Sequence, residues 1–164
     1  MIKKLLFIFM FLVQITAYSQ TPGVIIGEMN NGVFVINNNQ PSLVKAFEWT
    51  FKDGTKVTEM AITQLGNAYY LLATCAYQGR KKIAAIDIDL VGINFVLNED
   101  AQFKMCSAVA CENCRFFFEN NKIVACKCEE TGTISNHCHY KASVGNGYFA
   151  NFQRAQRMSK DERN

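Results

Sequence analysis

The sequence has little of what most recognisable machinery requires. Its 164 residues include two histidines, His137 and His139, two prolines and one tryptophan. It has no Gly-rich phosphate loop and no Gly-x-Ser-x-Gly elbow, so the motifs that announce nucleotide binding or an α/β-hydrolase nucleophile are absent. No asparagine begins an Asn-X-Ser/Thr sequon, which excludes that kind of glycan attachment. Beyond the first twenty residues no apolar run approaches the roughly 20 residues that a membrane-spanning helix needs. No internal repeat is visible, and a chain that is 49% hydrophobic is too apolar for wholesale disorder.

A strong excess of charge is also missing. The chain opens MIKKLLFIFMFLVQITAYSQ. Lys3 and Lys4 form a positive start, Leu5 to Val13 an apolar run, and Ala17 and Ser19 place small residues three and one before Gln20. That order is the grammar of a secretory signal peptide, so residues 1–19 are expected to be removed on export. The first cysteine after the apolar run is Cys75, so no thiol stands at the new N-terminus for lipid attachment. Cleavage takes away two of the 17 basic residues and none of the 14 acidic ones, leaving a net charge of about +1. Such a chain has no electrostatic reason to bind nucleic acid, and after cleavage nothing ties it to a membrane. The expected location is periplasmic or extracellular.

The mature part reads as one mainly β domain over residues 20–152, with α+β as the alternative, followed by a polar tail, 153–164. Residues 24–36 suggest two short strands around Asn30-Asn31-Gly32, and residues 37–41 a loop in which Pro41 blocks continuation. Residues 46–52 alternate, placing Phe47, Trp49 and Phe51 on one strand face before the turn signal Asp53-Gly54, with Trp49 in the core. Residues 55–66 fit either a helix ended by Gly66-Asn67 or a strand; the neighbouring strands favour a strand. Residues 69–77 and 83–90 form a hairpin through residues 78–81. Ile86, Ile88 and Leu90 face one side of its second strand, Asp87 and Asp89 the solvent side. Gly92 interrupts the run, which resumes over residues 93–97. The expected architecture is an antiparallel meander with one buried face and a C-terminal disulfide-rich hairpin subdomain at residues 106–140.

What the chain does have is cysteine: Cys106, Cys111, Cys114, Cys126, Cys128 and Cys138 crowd one segment. The C-x4-C-x2-C spacing of Cys106, Cys111 and Cys114 matches a plant-type iron–sulfur loop. However, Ser107 to Ala110 offer no glycine for a backbone that must wrap a cluster. Zinc could draw on Cys111/Cys114, Cys126/Cys128, Cys138 and either histidine, but the second pair is a short C-x-C and thiolates are left over. A thiol–disulfide oxidoreductase would use Cys111 and Cys114, a C-x-x-C pair that wants a helix N-terminus. The residues after it, Arg115 to Glu119, suit a strand instead. Structural disulfides among all six fit an exported chain best, with no cofactor.

Counting cannot fix the pairing. Residues 116–118 and 123–125 read as strands turning at Asn120-Asn121. A two-residue turn puts Cys114 opposite Lys127, whereas three-residue loops put it opposite Cys128 or Cys126. Cys114 is therefore expected to bond to Cys126 or Cys128, and Cys138 to pin the segment after Gly132 to the hairpin. Cys75, among apolar neighbours, reads as a buried inert thiol. Asp87 and Asp89 read as a polar edge, and neither histidine as the partner of a nucleophilic cysteine. Tyr69 and Tyr70 point to opposite faces, so one is expected at a binding surface. The expected role is that of a binding or structural module, its partner another protein, with the oxidoreductase or a zinc domain as the alternatives.

Overall fold

The computed structural model describes residues 23–131, 134, 137–144 and 146–162. The expected leader and Gly132 lie outside them. The elements in order are β1 (Val24–Asn30), β2 (Val33–Ile36), α1 (Gln40–Phe51), β3 (Lys56–Leu65), β4 (Ala68–Tyr77) and β5 (Arg80–Val91). They continue with β6 (Asn94–Leu97), β7 (Gln102–Ala108), β8 (Cys114–Glu119), β9 (Lys122–Cys128), β10 (Cys138–Val144) and α2 (Asn146–Asp161). The fold is mainly β, and every strand pair is antiparallel.

Turn chemistry sets the registers. Asn31-Gly32, Gln78-Gly79 and Asn120-Asn121 join hairpins with positive φ at both central residues, as a type I′ turn requires. Gly66 and Gly92 open the β3–β4 and β5–β6 turns at φ 63°, the glycine-first arrangement of type II′. The resulting eight-stranded sheet runs β10-β7-β5-β6-β1-β2, with β3 joined through β4 to β5, while β8 and β9 form a separate two-stranded sheet. Residues 55–66, ambiguous in sequence, supply strand β3.

The sheet curls around two helices. At Gly27 a Cβ atom would stand 2.4 Å from the Val35 carbonyl oxygen and 2.8 Å from Ile62 Cδ1, so glycine is what lets β1, β2 and β3 approach there. The ladder of β1 also shifts between Ile25 and Gly27, a bulge that adds curvature. Into the concave side pack Leu43, Ala46 and Phe47 of α1 and Tyr148, Phe149 and Phe152 of α2. They meet Leu71, Ala73, Ile86, Ile88, Phe95 and Phe103 of the sheet.

The strand expected over residues 46–52 is thus a helix. Leu43, Phe47 and Phe51 recur at i, i+4 and i+8, a helical stripe that also passes for alternation when only its last turn is read. Pro41, expected to sit in a loop, occupies the first turn of α1, where no backbone N–H is needed. Lys52 ends the helix in the left-handed conformation. Lys82 of β5 then reaches back to Asp53 at 2.5 Å and to Thr55 Oγ1 at 2.9 Å. Desolvation raises the Asp53 carboxyl, but hydrogen bonds from Lys82 and Thr55 outweigh it and hold the group below its ordinary 3.8.

The segment from Gln153 continues α2 to Asp161, with Ala155 buried. Its docking is specified by polar contacts as well as packing. Tyr148 donates to the Leu43 carbonyl at 3.3 Å, Asn151 to Thr50 Oγ1 at 3.1 Å and Gln156 to Asn39 Oδ1 at 2.9 Å.

The sheet is buried on two faces, where the sequence suggested one. Leu71, Ala73 and Cys75 of β4 face the helices, while Tyr70 faces a second core. That core also takes in Ala85, Cys106 and Ala108 on the sheet, together with Phe116 and Ile123 of the hairpin. The central strands are covered on both sides, giving three layers: helices, curled sheet, cysteine hairpin.

Candidate functional site

The hairpin β8–β9 lies across the convex face of the sheet, and all six clustered cysteines hold it there. Cys106 of β7 bonds to Cys126 of β9, Cys111 in the loop after β7 to Cys128 at the end of β9, and Cys114 at the start of β8 to Cys138 at the start of β10. Their Cα atoms stand 5.8, 5.9 and 5.9 Å apart, within the usual range. The bridges join first to fourth, second to fifth and third to sixth cysteine, so each crosses the other two in sequence.

The expected bond from Cys114 to Cys126 or Cys128 is therefore corrected, although the reasoning about register comes close. Cys114 does lie directly opposite Cys128. It does so across a two-residue turn, because the ladder shifts between Phe117 and Phe118 and leaves Val124 as an extra residue. That bulge brings Ile123, Cys126 and Cys128 to the buried side together. Cys114 nevertheless bonds to Cys138 of β10 and Cys128 to Cys111 of the loop after β7, so that no bridge lies within the hairpin. The expected role of Cys138 in pinning its segment to the hairpin is met through Cys114.

This bonding also decides what the other cysteine readings can use. The three cysteines with iron–sulfur spacing go to three different bridges. Cys111 and Cys114 belong to separate bridges, and the bend between them leads into strand β8. No helix N-terminus lowers a thiol there. Cys138 is bonded, which leaves His137 and His139 no thiolate to activate. Around Cys111 the polar atoms are close: Glu130 Oε2 lies 2.6 Å from the sulfurs of both Cys111 and Cys128, and the Asn113 carbonyl 2.8 Å from Cys111 Sγ. Asn113 N donates to Glu130 Oε1 at 3.0 Å and fixes the carboxylate. Cys75 is the free thiol, 1% exposed, and its burial pushes its pKa up to about 12.

The hairpin covers part of the convex face, over β4, β5 and β7, and stops at a groove. Its tip touches the β3–β4 turn at Gly66, while Tyr70 and Tyr140 donate hydroxyls to the carbonyls of Asn121 at 3.4 Å and Ile123 at 3.2 Å. The groove, of about 870 Å³, is lined by Asp87, Asp89, Asp100, Lys104, Tyr70 and Lys122 among others. Lys104 is 4% exposed and ion-paired with Asp87, with its ammonium 5.6 Å from the Tyr70 ring. Asp87 is thus the counter-ion of a buried cation, where alternation alone suggested a solvated edge. Desolvation and the Asp87 charge both raise the Tyr70 and Tyr140 phenols, so both stay neutral. Asp89 accepts from Asn98 Nδ2 at 2.5 Å.

Beyond the groove the convex face is bare. Direct pairing places Val35, Glu28, Asn94 and Val91 in one row across β2, β1, β6 and β5, and Ile25, Val96 and Asp89 in the next. Val33, Val91 and the neighbouring Ile93 are each 61% exposed, and Ile25 and Val35 are also exposed. This apolar face was not found in the sequence. Its signal was the alternation Val33, Val35 on a strand whose other residues, Phe34 and Ile36, are apolar too. The tyrosines expected to divide between core and surface are both packed: Tyr70 under the hairpin, Tyr69 edge-on to Phe34 at 5.8 Å. Trp49 is half-buried outside the core, under the Arg154 guanidinium at 5.0 Å. No helix among the described residues is long and apolar enough to cross a membrane. Comparisons with protein-family models, curated proteins and solved structures find no match to this chain.

Proposed function

We propose that this chain is an exported, disulfide-stabilised binding module, and that it engages another protein through the bare half of its convex face. One observation carries the reading: Ile25, Val33, Val35 and Val91, with Ile93 in the adjoining turn, are large apolar side chains exposed on the side of the strands opposite the core. Several large apolar side chains left in solvent on one face of the rigid part of a domain fit an interaction surface. Glu28 and Asp89 stand in the same rows, so the partner that fits has an apolar anchor and a basic rim. Three bridges support an oxidising destination, in keeping with removal of residues 1–19 and a periplasmic or extracellular location.

The test has two arms. Protein recovered from the exported compartment begins at Gln20. In cross-linking within that compartment, a defined partner is captured by the native surface and lost with Val35→Lys and Val91→Lys. Both positions are exposed, so stability should move by no more than about 0.5 kcal/mol. A partner still captured by both variants contradicts the surface; a protein retained inside with its leader contradicts export.

A further inference from the structure

Two of the three bridges converge on one spot. The sulfurs of Cys111, Cys114 and Cys138 lie within 4.8 Å of one another although they belong to two different disulfides. Cys111 also forms a second trio of the same size with Cys128 and Glu130. Cys106 and Cys126 are in neither group. Cys111 is partly exposed and lines a pocket of about 550 Å³ between the β4–β5 turn and the loop before β8, whereas the other five sulfur-bearing residues are buried. The spot therefore opens to solvent.

Reduction changes what this spot must accommodate. Two equivalents of a phosphine reduce the two bridges; each is oxidised to its phosphine oxide, with water supplying the oxygen and the thiol protons. Three thiols, Cys111, Cys114 and Cys138, then stand around one point, with Cys128, freed from Cys111, next to them beside the Glu130 carboxylate. Like charges oppose their ionisation unless a cation enters. Four sulfur donors about 2.3 Å from a centre are what zinc takes in a closed tetrahedral site. Three of the sulfurs already lie within 4.8 Å of one another and need only small rotations to reach it, while Cys128, grouped with Cys111 and Glu130, must turn further.

We propose that the Cys111–Cys128 and Cys114–Cys138 bridges are the oxidised form of a binding site for one soft divalent cation of the zinc class. In the reduced protein Cys111, Cys114 and Cys138 supply three thiolates, and Cys128, released from Cys111, turns to the fourth corner. Binding displaces the four thiol protons. The donor set differs from the Cys111/Cys114 plus Cys126/Cys128 pairs that sequence spacing suggests, because β9 carries Cys126 to Cys106 instead. The oxidised protein, with no thiolates at the spot, does not bind.

Cobalt titration of the phosphine-reduced protein under anaerobic conditions tests this. The expected result is one equivalent of Co²⁺ with the intense visible bands of tetrahedral thiolate coordination, bleached by one equivalent of Zn²⁺. The double variant Cys106→Ser/Cys126→Ser keeps this stoichiometry, while Cys114→Ser/Cys138→Ser binds at least about tenfold more weakly, a difference of about 1.4 kcal/mol. Both variants leave four of the six clustered cysteines, so non-specific binding by loose thiols would not distinguish them. Pale octahedral spectra in the reduced native protein, or equal binding by the two variants, overturn the proposal.

Discussion

Single residues show where burial has chemical consequences. Cys75 sits in the helix-facing core with a thiol held at about 12, against an ordinary 9.0, because burial disfavours the thiolate. In the native protein it should not react with a disulfide reagent at pH 8, and should react once per molecule in denaturant; rapid native reaction would contradict its burial. The raised pKa also makes stability depend on pH. Its contribution is complete below about pH 9 and is lost as the pH rises towards 12, since only the unfolded chain can ionise there. Tyr148, raised well above 10.0 by its burial, adds to the loss at higher pH. Denaturant midpoints measured from pH 8 to 10 should fall, and Cys75→Ala should flatten that fall. Lys104 poses the opposite case, a buried cation kept by one carboxylate. Asp87→Asn should cost about 1–3 kcal/mol in chemical denaturation, less than a fully buried pair because Asp87 is partly exposed. No measurable change would mean that Lys104 escapes to water.

At the level of elements, the pair β4–β5 was legible because its turn carries glycine and Ile86, Ile88 and Leu90 of β5 alternate with Asp87 and Asp89. Helix α1 was not, because Phe47, Trp49 and Phe51 satisfy both periods over so short a span. The face of α2 was written in Tyr148, Phe149, Phe152 and Ala155, but Gly147 and the polar residues after Gln153 obscured it. In the cysteine hairpin the turn and both strands could be read, whereas the bulge at Val124 could not; it changes no residue type, only which residues share a face. Where the hairpin tip rests on the sheet, Gly66 is decisive. It holds φ at 63°, and a Cβ there would stand 2.1 Å from the Asn121 side chain. Gly32 has a positive φ as well but open space around it. Gly32→Ala should therefore cost about 1–2 kcal/mol from backbone strain alone, and Gly66→Ala more. Adding Asn121→Gly to Gly66→Ala should recover the excess, in a double-mutant cycle of thermal unfolding. Additive costs would show that the tip does not press on the turn.

For the whole molecule, the three layers explain why the cysteines are placed as they are. The inner core is large and apolar, and its helices fasten it from the concave side. The hairpin layer has few aliphatic contacts of its own beyond Ile123, so cross-links take over the work that a core would do. Bridges closing sequence separations of 20, 17 and 24 residues each contribute about 3 kcal/mol in a chain-entropy treatment. The bridges tie the hairpin to the interior strand β7, the edge strand β10 and the loop after β7, so losing all three loosens the layer over Tyr70 and Lys104 while the helix-facing core persists. The presence of cross-links was legible from the expected leader and the cysteine count together; their connectivity was not, since it depends on a bulge and on a layer beneath the hairpin. The most direct measurement is disulfide mapping by mass spectrometry on protein purified without reductant and with free thiols blocked. The expected map is Cys106–Cys126, Cys111–Cys128 and Cys114–Cys138 with a single free thiol at Cys75; Cys114 joined to Cys126 or Cys128, or the six found as free thiols, would contradict it.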